Sequence, residues 1–347
     1  MSRFSLQGRF FNARHTGNNP MSLVRRFPPD ESGVVGQFVT GDCGFYQVAR
    51  QRMGGAKWPM IWIQGTSPAD NAVSGVQAFL LDGESLQRVI QNGEIVGSFW
   101  SSEDADCCFL AGVLPLNKGA NRGEQAKSTL QQIEAALEKV GMTFRDVVRT
   151  WFFLDALSDW YGEFNEERTH FLAERDLLSG LIPASTGIGG ANPFGAALIG
   201  GALAIRPRAG SVEICEVESP LQCSAKAYRS SFSRAVEIGC PDRRILLVSG
   251  TASIGHDGDS LFLNDARMQI YRTLDVIDSI FRSRGFKWSN SSRAIAYFTD
   301  ADHIEIFEAC CRERHLLPLP IVYVNAEICR PELLFELEID ACIEKKS

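Results

Sequence analysis
The chain has 347 residues, enough to bury a sizeable core and to form two domains. Apolar residues make up 45% and charged residues 22%, the balance of an ordinary globular protein. The formal net charge of −7 argues against a nucleic-acid surface, so an anionic ligand would have to be held by locally placed arginines.

The first stretch, "MSRFSLQGRFFNARHTG", lacks the apolar centre of a signal peptide, and no apolar run reaches membrane-spanning length. A reduced, cytoplasmic protein is expected. Ten cysteines fit that expectation, because none forms a CxxC pair. The adjacent pairs Cys107-Cys108 and Cys310-Cys311 suit neither zinc ligation nor a disulfide framework, and five scattered histidines give a metal site little support. The first hundred residues carry no motif that suggests a role.

Beyond them, "CFLAGVLPL" has the pattern of a strand. Thr129–Asp155, "TLQQIEAALEKVGMTFRDVVRTWFFLD", then predicts a helix closed by Gly141 and a strand over "VVRTWFFL". A second helix is expected over "SDWYGEFNEERTHFLAER", where Tyr161 and Arg168, seven apart, share one face. "PASTGIGGANPFGAAL" is expected to be a loop of small residues that lets backbone approach a ligand, with hydroxyls from Ser185 and Thr186. Its glycine spacing is not that of a dinucleotide-binding turn. "GALAIRP" closes this part as a strand.

A join is expected near residues 215–230, followed by "YRSSFSRA" with Arg229 and Arg234. In "LLVSGTASI" Gly250 and Ala252 are small enough to leave room beside a ligand. Thr273–Thr299, "TLDVIDSIFRSRGFKWSNSSRAIAYFT", aligns with Thr129–Asp155 without a gap at a constant shift of 144. Gly285 matches Gly141 and Arg293 matches Arg149. "ADHIEIFEACCRERHL" is the matching second helix, and "FELEIDA" the matching final strand. The chain therefore contains one α+β unit twice, with domains expected at 1–222 and 223–347.

The copies differ in that last strand. Aligning "LAI" with "LEI" sets Ala202 against Glu336 and Ala204 against Glu338, acids in one copy and alanines in the other. As a strand, "FELEIDA" puts Glu336, Glu338 and Asp340 on one face.

The unit resembles the reactive-intermediate deaminase (RidA-like, chorismate-mutase-like) fold, a mixed six-stranded sheet backed by two helices that assembles as a trimer. The segments "WYGEFNEERTHF", "PASTGIGGANPFGAAL", "SSFSRAVEI", "LLVSGTASI" and "ICRPELLFELEIDA" resemble, more specifically, the chorismatase and 3-hydroxybenzoate synthase family, a fused double form. That resemblance implies cleavage of the enolpyruvyl ether of chorismate with release of pyruvate, no metal or organic cofactor, no nucleic acid or membrane partner, and a homotrimer. It implies Glu336 as the acid that protonates the enolpyruvyl methylene, which requires a carboxyl kept protonated near neutral pH. It implies Cys329, seven residues earlier, as a residue of the branch that makes 3-hydroxybenzoate, whereas Ala252 has a counterpart in the branch that makes a dihydroxycyclohexadiene carboxylate. A 4-hydroxybenzoate side product is a further alternative. Tyr161, Arg168, Arg229, Arg234, Ser185, Thr186, Gly250 and Ala252 are the expected substrate-binding residues, arginine being suited to carboxylates by its planar fork. Single-copy RidA-like deaminases hold the substrate carboxylate with an arginine shortly before the closing strand, and the corresponding segment here, "LPLPIVYVNAEIC", has none, which argues against that activity. A metabolite-binding sensor is the non-enzymatic alternative.

Overall fold
The computed structural model describes residues 11–14, 33–52, 54–55, 57–65, 73–81, 85–208, 210–228 and 230–345. Its first elements are β1 (Phe11–Arg14), β2 (Val34–Gly41), the short helix α1 (Tyr46–Arg52), β3 (Met60–Gln64) and β4 (Val73–Leu80). The first full copy follows as β5 (Gln87–Gln91), β6 (Glu94–Ser101), β7 (Ala105–Val113), α2 (Arg122–Glu138), β8 (Val147–Leu154), α3 (Tyr161–Ala173), β9 (Ala184–Gly189) and β10 (Leu198–Pro207). The second is β11 (Glu213–Val217), β12 (Ala235–Gly239), β13 (Arg243–Ala252), α4 (Ala266–Ser283), β14 (Ser291–Phe298), α5 (His303–Glu313), β15 (Ile321–Asn325) and β16 (Phe335–Glu344).

The local reasons are plain in the sequence. In α4 the buried residues Ile270, Leu274, Ile277 and Phe281 recur at helical spacing, and the Asp265 side chain caps the first turn by accepting from Met268 N–H. β8, "VVRTWFFL", is rich in β-branched and aromatic residues and is buried throughout. Gly141 and Gly285 follow α2 and α4 with φ of 71° and 74°, the left-handed turn that glycine adopts without a side-chain clash.

Among the described residues the strands form three sheets, one of them four-stranded. β5, β6, β7, β10 and β8 lie side by side in that order, and the second copy has the order β11-β12-β13-β16-β14-β15. Its neighbours are antiparallel except the parallel pair β14–β15, so the sheet is mixed. α4 packs on β13 and β16 and against α5, over an apolar core that includes Leu246, Ile277, Phe298, Phe307 and Leu337. The duplicated α+β architecture is as the sequence predicts.

By compactness the chain forms two units, Met1–Asp155 with Gly190–Val212, and Ala156–Gly189 with Glu213–Ser347. Duplication and compactness therefore divide the chain differently, since α3 and β9 are part of the first copy in sequence but belong to the second unit. β9 also corrects an expectation: "ASTGIG" is a strand and not a loop. Its small residues let it run close across β13, with Ser185 N–H donating to Ser249 Oγ and Gly250 N–H donating to Thr186 Oγ1.

The sheet ladders also correct the alignment of the closing strands. Phe153 pairs with Ile199, and its repeat partner Tyr297 pairs with Glu336. Likewise Trp151 pairs with Gly201 and Ile295 with Glu338, while Arg149 pairs with Leu203 and Arg293 with Asp340. The residues equivalent to Glu336, Glu338 and Asp340 are thus Ile199, Gly201 and Leu203, three positions from those the sequence match chose. The contrast between an acidic and a non-acidic strand survives.

The first hundred residues hold a partial third unit. β2, α1, β3 and β4 repeat the connectivity of β14, α5, β15 and β16: a parallel pair (β2–β3) joined through a helix, then an antiparallel return beside its first strand (β2–β4). β1 flanks β4 as β13 flanks β16, giving the order β1-β4-β2-β3. Within the first unit, rings from this sheet (Phe38, Phe79) meet Phe109 and Trp151 of the six-stranded sheet at centroid distances of 4.5–6.3 Å.

Candidate active site
The second unit contains a cavity of about 150 Å³, open to solvent, lined by Tyr161, Asn165, Arg168, Ser185, Gly187, Ser230, Phe232, Arg234, Gly250, Ala252, Ile254, Cys329, Arg330 and Glu336. Four parts of the fold build it: one face of α3, the strand β9, the segment that leads into β12 with the end of β13, and the start of β16 with the segment that leads into it.

α3 presents Tyr161, Asn165 and Arg168 at positions i, i+4 and i+7, which share a face. Arg168 is 3% exposed. Its Nη2 donates to Asn165 Oδ1 at 2.6 Å and its Nη1 to Ser185 Oγ at 3.4 Å, and the guanidinium lies 5.2 Å from the Phe164 ring centre and 5.6 Å from that of Phe232. Asn165 Nδ2 in turn donates to the Tyr161 carbonyl, so the helix face is tied together. The Tyr161 ring rests over Gly187, where an added Cβ would stand 3.3 Å from Cε2.

Arg234 approaches Phe232 at 5.6 Å, and its Nε and Nη2 both donate to the Cys223 carbonyl at 3.0 and 2.9 Å. Phe232 therefore has two guanidinium groups near its ring, contacts favourable to both cations. A third arginine, Arg330, is anchored on the Gly258 carbonyl at 2.8 Å and Ser260 Oγ at 3.2 Å. Three permanently charged arginines thus line the same cavity as one carboxyl group, that of Glu336.

Glu336 is 4% exposed and lies at the end of β16 nearest the cavity, opposite Ala252 of β13. The ladder between these strands shifts register between Val248 and Thr251, which places Gly250 in the irregularity. A Cβ on Gly250 would fall 1.9 Å from Glu336 Oε1, so the glycine is what lets the carboxyl sit there. Ala252 and Ile254 are fixed from behind by Gln222, whose Nε2 donates to both carbonyls at 2.9 and 3.1 Å. Cys329 is half-buried, and burial followed by the charge of Glu336 pushes its thiol up to about 12. It remains a neutral thiol near pH 7 and is not an activated nucleophile.

Of the residues expected from the sequence, Glu336, Cys329, Tyr161, Arg168, Arg234, Ser185, Gly250 and Ala252 line this one cavity. Thr186 stands just behind it, holding Gly250 N–H at 3.1 Å. Arg229 lies outside the described residues. Asn165, Ser230, Phe232, Ile254 and Arg330 were not anticipated. Helical spacing from Tyr161 pointed to Asn165, and Arg330 adjoins Cys329 in sequence; Ser230 offers no comparable sequence signal. Among the described residues, no cluster of His, Cys, Asp and Glu could hold a metal ion, and no helix is long and apolar enough to cross a membrane.

Comparison with known proteins places this geometry on a known scaffold. Residues 102–190 match the family model described as Endoribonuclease L-PSP. A solved chorismatase superimposes with a TM-score of 0.70 at 17% identity, covering 96% of this chain and 98% of its own. A member of the YjgF/YER057c/UK114 family from Mycobacterium tuberculosis is 25% identical over 38% of this chain and 100% of its own, with a TM-score of 0.30. A putative endoribonuclease L-PSP from Entamoeba histolytica is 16% identical over 38% and 100%, with a TM-score of 0.32. No curated protein sequence matches the chain. The fold is the tandem RidA-like fold that the chorismatase also has.

Proposed function
We propose that the chain is a chorismatase: it cleaves the enolpyruvyl ether of chorismate and releases pyruvate and a ring acid. The observation that carries this reading is the Glu336 carboxyl inside a cavity whose other charged walls are Arg168, Arg234 and Arg330. Chorismate brings two carboxylates and an electron-rich methylene, and the cavity offers cations for the first and a proton donor for the second.

In this reading Arg168, Arg234 and Arg330 hold the carboxylates and Tyr161 closes the helix side. Glu336 donates its proton to the enolpyruvyl methylene carbon, and the positive charge that develops on the adjacent ether carbon weakens the bond to the ring. Pyruvate departs with the ether oxygen, the neighbouring ring hydroxyl oxygen bridges and shifts to the carbon it left, and loss of one ring proton makes the ring aromatic. Chorismate has the same atoms as pyruvate plus a hydroxybenzoate, so that outcome takes up no water in sum, whereas the dihydroxycyclohexadiene product takes up one. Cys329 on the cavity wall favours 3-hydroxybenzoate, because a neutral thiol occupies space that an attacking water would use. The assembly proposed with this activity is a cytoplasmic homotrimer.

The test is incubation with chorismate, with pyruvate followed through lactate dehydrogenase and the ring acid separated by chromatography. The wild type is expected to release pyruvate, and Glu336→Gln to lose about 10²–10⁴-fold in rate, the usual contribution of a positioned general acid. A 3-hydroxybenzoate peak without oxygen from labelled water supports the product assignment; a diene diol carrying that oxygen replaces it. A folded wild type that yields no pyruvate overturns the proposed activity.

A further inference from the structure
The cavity poses an electrostatic difficulty. Arg168, Arg234 and Arg330 suit two bound carboxylates, but the same cations favour the ionised form of Glu336, and an ionised Glu336 has no proton to give. The counterweight lies deeper in the sheet. Glu336, Glu338 and Asp340 follow one another on a single face of β16, at 4%, 0% and 4% exposure. Opposite them on β14 stand Tyr297, Ile295 and Arg293 respectively. Arg293 donates to Asp340 Oδ2 at 2.9 Å and to Glu338 Oε1, and the Tyr297 hydroxyl donates to Glu338 Oε2 at 3.3 Å. Burial would lower the proton affinity of Arg293, but the charges of Glu338 and Asp340 outweigh it and hold the guanidinium charged. Along the strand, the Glu338 position comes between Arg293 and Glu336, so its carboxylate is the nearer charge to the acid. The titratable and charged groups about Glu336 are thus Tyr297 from β14, Glu338 from its own strand, and Tyr161, Arg168, Arg234, Cys329 and Arg330 around the cavity.

The first copy supplies an independent observation. Where the second has Tyr297, Glu336, Glu338 and Asp340, the first has Phe153, Ile199, Gly201 and Leu203, although the arginine is kept as Arg149. The set of oxygens is present together or absent together, which is the pattern of one working group and not of separate surface choices. Glu338 and Asp340 do not line the cavity, so neither touches substrate.

We propose that Glu338, fixed by Arg293 and Tyr297, is a positioning residue for the reaction: its buried carboxylate offsets the three arginines and keeps Glu336 in the acid form. Asp340 contributes in the same sense from farther away. This rests on the acid role of Glu336 given above, and a readout that needs no turnover separates the two. Two titrations are compared across variants: the alkaline limb of pyruvate release from chorismate, and the Glu336 carboxyl-carbon NMR signal in glutamate-labelled protein, assigned by its loss in Glu336→Gln. Removing a charge about two strand residues away through a medium of intermediate dielectric corresponds to about one to two pH units. Glu338→Gln is therefore expected to move both midpoints down by about that amount while leaving the rate at low pH near that of the wild type. Asp340→Asn moves them down by less, and Glu338→Asp, which keeps the charge, restores most of the wild-type midpoint. Unmoved midpoints in folded Glu338→Gln overturn the proposal; should that variant not fold, unmoved midpoints in Asp340→Asn do so. If the wild type releases no pyruvate but the NMR midpoint moves, the positioning role stands and the chorismatase reading falls.

Discussion
Gly250 lacks a side chain where the Glu336 carboxyl needs the space: a methyl group there would lie 1.9 Å from Oε1 and 3.3 Å from Thr186 Cγ2. The backbone at this position is outside the left-handed region, so alanine is conformationally acceptable and the main conflict is with the acid. Gly250→Ala is expected to fold, with an unfolding midpoint close to that of the wild type, and to lose about 100-fold in pyruvate release, the effect of misplacing a reacting group by an ångström. Retained activity would show that the carboxyl works from elsewhere. The reverse relation holds in the first copy, where Gly112 opposes a strand whose corresponding residue is Ile199, and a Cβ on Gly112 would meet the Met60 carbonyl at 2.4 Å. One glycine makes way for a carboxyl and its counterpart for backbone.

At the level of elements, the copies share what builds the fold. Gln125 and Gln269, 144 apart, do the same work in each. Gln269 Nε2 donates to the Phe262 and Glu332 carbonyls while its Oε1 accepts from Leu334 N–H; Gln125 Nε2 donates to the Lys118 and Ala120 carbonyls while its Oε1 accepts from Ala197 N–H. Each glutamine ties the loop ahead of a helix to the start of, or the approach to, the closing strand. Gln269→Ala leaves these part-buried backbone groups without that partner and is expected to lower stability by about 1 kcal/mol, read by urea unfolding. The helices and strands of the repeat were legible because apolar spacing and the terminal glycines dictate them locally. The register of β10 was not. Matching "LAI" to "LEI" follows letters, whereas the ladder is fixed by cross-strand pairs such as Phe153 with Ile199, which lie far apart in the chain. β9 escaped notice for a related reason, since "ASTGIG" gains its strand character from neighbours and not from its own propensity.

For the molecule as a whole, the sequence disclosed two units and missed the half unit ahead of them. β1–β4 resemble the repeat in connectivity but not in residues, and connectivity leaves no trace in a single sequence. The aromatic contacts among Phe38, Phe79, Phe109 and Trp151 explain what the apolar residues of that region are for. The proposed homotrimer is tested by light scattering across a concentration series, with three chain masses expected. A single-chain mass at every concentration would overturn it.

β16 is hydrogen-bonded on both sides, to β13 and to β14, yet it follows both in the chain. During synthesis the two neighbours emerge first and must wait, unpaired toward each other, until the strand between them leaves the ribosome. That late strand carries Glu336 together with Glu338 and Asp340. A nascent chain that stalls before it therefore has neither a closed second sheet nor the proposed acid.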